Sequence, residues 1–152
     1  MYLLTENTAD IACPVEVAYE YVCNLERFGE WFPGVIAIES ANDLAHAAIG
    51  KTYLETVSIP MRGARKIGIT VVAAESDRLL VTEGMLPSLM PRMEIQFHST
   101  AANACRINWR MFSRKESLLS RVTLLPLARR IMRKRASIGM RRLARTLENN
   151  NA

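Results

Sequence analysis

The sequence predicts an α+β domain: a curved antiparallel sheet of six to seven strands around a long C-terminal helix, with two short helices after the first strand. Three observations lead there. From residue 35 to 113 the apolar period is close to two, and no helical pattern interrupts it. From residue 128 to 147 the period is helical. The 152 residues hold no repeat, low-complexity tract or Gly/Ser linker, so a single domain, 1–152, contains both halves. A chain of this length buries roughly 70% of its unfolded surface, enough for a core without disulfide or metal staples.

Residues 3–11 alternate loosely, as a first strand would. Cys13-Pro14-Val15-Glu16 then starts a helix. Proline at the first helical position loses no bond, and Glu16 suits the positive end of the helix dipole. Val17, Ala18, Tyr21 and Val22 form its apolar stripe, and Asn24 closes it. Phe28, Trp31 and Phe32 mark a second short helix, which Pro33-Gly34 stops.

Strands are expected at 35–41, 51–59, 65–75, 78–85, 92–100 and 104–113, with Gly, Asp, Asn or Pro in the turns. Two of them alternate cleanly. Met93, Ile95 and Phe97 oppose Glu94, Gln96 and His98, while Ile107, Trp109 and Met111 oppose Arg106, Asn108 and Arg110. Such alternation marks a sheet with one buried and one wet face. Strands in succession without crossover helices exclude a parallel fold.

Ala128, Ile131, Met132, Ala136, Gly139, Met140, Leu143 and Leu147 form one apolar helix face. Pro126 is expected at or before the first turn, with 117–124 a loop or separate turn. About twenty helical residues span on the order of 30 Å, enough to cross a small sheet.

Composition narrows the function classes. The N-terminus, MYLLTENTAD, lacks a basic n-region, and no apolar run approaches the ~18 residues of a membrane span. Cys13, Cys23 and Cys105 are odd in number and widely spaced, so free thiols in a reducing compartment, the cytoplasm, are expected. The net charge is +5, but residues 114–145 hold eleven basic side chains against one acid, Glu116. That face could attract an anionic membrane surface. Nucleic acid is disfavoured, because no aromatic residue interleaves the cations to stack on bases. Monomer and homodimer both remain open.

The segment ADIACPVEVAYEYVCNLERFGEWFPGVIAIES, followed by IGKTYLETV and a final basic helix ending in RRLARTLE, resembles the START-like (SRPBCC) superfamily. The resemblance is to its polyketide cyclase/dehydrase and lipid-transport branch and covers nearly the whole chain. It implies a helix-grip fold with an internal apolar cavity. Superfamily members use that cavity for lipids, sterols, hormones, polyketide intermediates and quinones, so the fold locates a site without naming a reaction.

Residue-level chemistry is sparse. Gly50-Lys51-Thr52 lacks the earlier glycine of a phosphate loop, since position 45 is Ala45, and reads as the start of a strand after a glycine turn. His46 and His98 have no helical ligand partner, so a solvated structural role is expected and no metal or cofactor is implied. No G-x-S-x-G elbow supports acyl transfer. Glu83, Tyr53, Glu55 and Thr82 lie in strands whose faces the pattern does not assign. A glutamate turned into an apolar cavity would have a raised pKa and could move protons. On a wet face Glu83 would pair with a neighbouring strand instead.

The reading that follows is a module binding a small hydrophobic ligand, lined by Phe28, Trp31, Met93, Ile95, Phe97, Ile107, Trp109, Met111, Ile131, Met132 and Met140. Methionine is flexible and polarisable, which suits variable apolar ligands. Trp109→Ala is then expected to weaken ligand uptake more than folding. The alternative is a polyketide cyclase/dehydratase-type enzyme, with Glu83 and Tyr53 as its polar candidates. A further alternative is an interaction protein using the basic helix.

Overall fold

A computed structural model of the chain describes residues 1–115 and 117–151. Glu116, the one acid of the basic stretch, lies outside them. The strands are β1 (Tyr2–Ile11), β2 (Val35–Ser40), β3 (Thr52–Ile59), β4 (Gly63–Glu75), β5 (Leu79–Gly84), β6 (Pro91–Ala101) and β7 (Ala104–Ser113). They form one antiparallel sheet in the order β1-β7-β6-β5-β4-β3-β2. β1 and β2 are consecutive in sequence yet form opposite edges. Helix α1 (Val15–Cys23), a 3-10 turn (Leu25–Arg27) and helix α2 (Phe28–Trp31) carry the chain between them.

Local chemistry accounts for that connection. Pro14 precedes α1, and the Asn24 side chain accepts from the Glu26 amide at 3.1 Å, starting the 3-10 turn where α1 ends. Gly34, with φ +90°, then turns the chain into β2. The two clean alternations pair in register, Glu94 opposite Arg110 and Ile95 opposite Trp109, and Arg110 donates to Glu94 at 3.1 Å on the outer face. Ile95, Ile107 and Trp109 are fully buried on the inner face.

Helix α3 runs over Leu118–Asn150, 33 residues. At 1.5 Å per residue that is about 50 Å. Pro126 therefore lies inside it, and residues 118–124, expected as loop or separate turn, are its first turns. The Ser117 hydroxyl caps the start by accepting from the Ser120 amide at 3.3 Å. Proline costs one intrahelical bond and crowds the carbonyl four residues back. Here both Pro126 and Val122 are exposed, so solvent reaches the freed carbonyl. From Leu125 onward the buried stripe is Leu125, Ala136, Gly139, Met140, Leu143 and Leu147. A Cβ on Gly139 would lie 3.2 Å from the Phe32 ring and 3.3 Å from the Trp31 carbonyl, so glycine sets the close approach of α3 to α2. Among the described residues no helix is long and apolar enough to cross a membrane.

Candidate functional site: a cavity under the long helix

The inner sheet face and α3 border a partly open cavity of about 90 Å³. Val35 of β2, Val57 of β3, Ile67 and Ile69 of β4, Met93 of β6 and Met111 of β7 form its sheet wall. Leu25, Phe28, Phe32 and Pro33 close one side, and Met132 and Arg135 of α3 lie over it. Leu86, Leu89 and Pro91, from the β5–β6 loop, cover its end.

Three polar side chains face this apolar wall: Glu55, Thr82 and Arg135. Alternation along β3 turns Tyr53, Glu55 and Val57 inward together. Glu55 is only 6% exposed, and it makes no hydrogen bond or close ion pair among the described residues. Burial raises its pKa from 4.5 to about 7, and the positive charge of Arg135 offsets only part of that rise. Arg135 donates to the Ser58 carbonyl at 3.0 Å, and its own burial lowers its pKa. Its guanidinium occupies the space where a side chain at residue 34 would begin, so any larger residue there would displace Arg135 in addition to straining the positive φ. Arg135 thus leaves the solvated basic face and becomes part of the cavity wall.

Of the residues proposed from sequence, Phe28, Met93, Met111 and Met132 line the cavity. Trp31, Ile95, Phe97, Ile107, Trp109 and Met140 are buried in the surrounding core. Phe32 stands between Trp109 and the cavity, with the two rings 5.3 Å apart, and Phe28 stacks on Phe32 at 4.9 Å. Ile131 is half-exposed on α3 and lies outside the core cluster.

Glu83 faces outward, because Leu80 and Thr82 take the inner positions of β5. Its carboxylate meets Arg92 at 2.9 Å and Arg114 at 3.5 Å, the cross-strand pairing that a wet-face glutamate would make. Tyr53 is buried, but its hydroxyl is bound to His46 Nδ1 rather than presented to the cavity. Burial pushes the Tyr53 hydroxyl up to about 12. His46 Nε2 in turn lies 3.6 Å from Glu26. His46 is therefore a bridge between β3 and the connecting turn rather than a freely solvated ring; His98 is exposed. Lys51 also departs from a phosphate-loop role: it is 3% exposed and donates to the Asn42 carbonyl at 2.7 Å, closing the turn before β3.

Sequence reasoning left Glu55 among unassigned strand residues and counted Arg135 as surface charge. The period of two in TYLETV held the signal for Glu55, since Tyr53 and Val57 share its face. The helical spacing held a signal for Arg135 too, since it stands four residues after Ile131, three after Met132 and four before Gly139, on the apolar face that Lys134 leaves.

The family described as polyketide cyclase / dehydrase and lipid transport matches residues 4–148. No curated protein sequence matches the chain. Solved structures do. A START superfamily protein from Mycobacterium smegmatis is 12% identical with a TM-score of 0.69, over 97% of this chain and 95% of that one. A protein from Thermobifida fusca is 13% identical with a TM-score of 0.70, over 95% and 92% of the two chains. The di-domain ARO/CYC StfQ from the steffimycin biosynthetic pathway is 18% identical with a TM-score of 0.68. The match covers 98% of this chain and 51% of StfQ. At these identities the likeness is one of fold.

Proposed function

The chain belongs to the polyketide cyclase / dehydrase and lipid transport family, and from that premise we propose that it binds a small hydrophobic molecule, lipid, quinone or polyketide-like, in the cavity beneath α3. The observation that carries this reading is Glu55: a buried carboxyl without a hydrogen-bond partner, set in an apolar wall with Arg135 and Thr82 beside it. A carboxyl facing an apolar wall is costly until a polar partner reaches it. A ligand with an apolar body and one oxygen function would satisfy it. Ligand pockets measure roughly 300–1,000 Å³, so a cavity of about 90 Å³ must widen on binding. Met93, Met111 and Met132 supply flexible walls for that. The buried free thiols Cys13, Cys23 and Cys105 fit a cytoplasmic setting.

The test is a titration with 1-naphthol and naphthalene, followed by tryptophan emission. Trp109 and Trp31 report through Phe32 and Phe28, which they contact at 5.3 and 5.1 Å. Saturable binding is expected, with 1-naphthol about tenfold tighter for one hydrogen bond to a charged or polar partner. Thr82→Leu, which fills cavity space, should abolish it. No saturable response to either probe, or binding indifferent to Thr82→Leu, would contradict the reading.

Glu55 also favours a second reading, the cyclase/dehydratase-type enzyme. A carboxyl titrating near 7 in a largely apolar site is suited to moving a proton beside a ligand carbonyl. That reading expects catalysed hydrogen–deuterium exchange at the acidic C–H positions of 2-tetralone, lost in Glu55→Gln. Exchange no faster than in buffer would remove it.

A further inference from the structure

The apolar stripe of α3 does not end where the core ends. Val122 and Leu118 continue it from buried Leu125 at helical spacing, yet they are 71% and 77% exposed. Leu119, 74% exposed, lies beside them. Nothing in the described chain covers these side chains. A large apolar cluster that folding leaves in water marks an interaction surface.

Its place in the fold is informative. Antiparallel pairing brings the end of β7, from which α3 departs, to the same end of the sheet as the β5–β6 loop and the β3–β4 hairpin. Met85 in that loop and Met61 at the hairpin tip are both exposed. The loop is the one that covers the cavity. It is tied to the end of β7 by Ser113, whose hydroxyl donates to the Leu89 carbonyl, and to the segment leading into α3 by Lys115, whose ammonium donates to the Pro87 carbonyl at 3.1 Å.

The charge around the cluster selects the partner. Arg62, Arg65, Lys66, Arg121, Arg129 and Arg130 are exposed, and none has an ion-pair partner among the described residues. A second copy of the chain would set cations against cations. An anionic, partly apolar surface complements both features at once.

We propose that this end of the molecule docks on anionic lipid bilayers, with Leu118, Leu119 and Val122 entering the acyl–headgroup boundary and the surrounding arginines and lysines meeting the lipid phosphates. Apolar insertion flanked by cations is the arrangement of interfacial helices, and either element alone binds weakly. Docking in this orientation brings the loop over the cavity against the bilayer.

Vesicle co-sedimentation of the full chain tests it, with phosphatidylcholine vesicles containing about 30 mol% phosphatidylserine against phosphatidylcholine alone. Binding is expected to the first and to fall at least about tenfold in the second. The exposed triple change Leu118→Ser, Leu119→Ser and Val122→Ser is expected to weaken binding by about tenfold or more. Arg121→Glu should do so independently, and circular dichroism should show both proteins folded. No binding to anionic vesicles would overturn the proposal. So would binding unchanged by the triple substitution, since charge alone would then suffice. A concentration-dependent dimer that the triple substitution dissolves would assign the surface to a second copy instead.

Discussion

Replacing Glu55 with glutamine should abolish a distinct pH dependence of stability. Glu55 is 6% exposed, and its pKa stands at about 7 in the folded chain against 4.5 ordinarily. Below pH 4.5 both states carry the protonated carboxyl, and its burial involves no charge. Between 4.5 and about 7 the unfolded chain has released the proton while the folded chain retains it. The unfolded state then binds fewer protons, so stability falls as pH rises through this window. At about 1.4 kcal/mol per pH unit the loss reaches about 3 kcal/mol once the pH passes 7. Glutamine keeps the shape and cannot ionise. The variant should therefore match the wild type near pH 4 and exceed it by about 3 kcal/mol near pH 8, roughly 6–12 °C in Tm for a chain of this size. Urea melts of both proteins across the range provide the comparison, and their difference cancels every other titrating group. A variant equal to or weaker than the wild type at pH 8 would refute the reasoning, because Glu55 would then be held by partners or reached by solvent.

Gly34→Ala should destabilise the fold by about 1–3 kcal/mol, since it combines a positive φ with collision against the Arg135 guanidinium, and thermal melts would show it. Arg135→Met should remove that collision, so the cost of Gly34→Ala should shrink in the double variant; equal costs in both backgrounds would discount the contact. Trp109→Ala should cost about 3–5 kcal/mol in urea unfolding, because the ring is fully buried behind Phe32. The preference for 1-naphthol over naphthalene should shrink to within about threefold when Glu55 and Arg135 are both replaced, read from the same emission titration.

The fold was legible because its signals are periodic. Six strands and the two short helices announce themselves through alternation, Pro14, Asn24 and Pro33-Gly34, and each boundary falls within about two residues of the expectation. The start of α3 was obscured by Pro126. Proline normally ends a helix, and only the exposure of the preceding turns makes it tolerable here. The site was less legible, because cavity and core use the same residues. Met93 and Phe97 alternate identically on β6, yet one borders empty space and the other packs on Tyr19 at 5.0 Å. Strand order and helix placement decide between them, and neither is written in the local pattern. Glu83 and Glu55 show the same difficulty in reverse: two glutamates in similar strands, one paired outside with arginines and one enclosed.

Native mass spectrometry of the freshly purified protein, alongside its denatured mass, tests most directly whether the cavity holds a ligand. The account predicts a discrete added mass that is lost on denaturation and absent from Thr82→Leu purified in the same way. A bare mass for the wild type, persisting after incubation with a total lipid extract of the expression host, would contradict it.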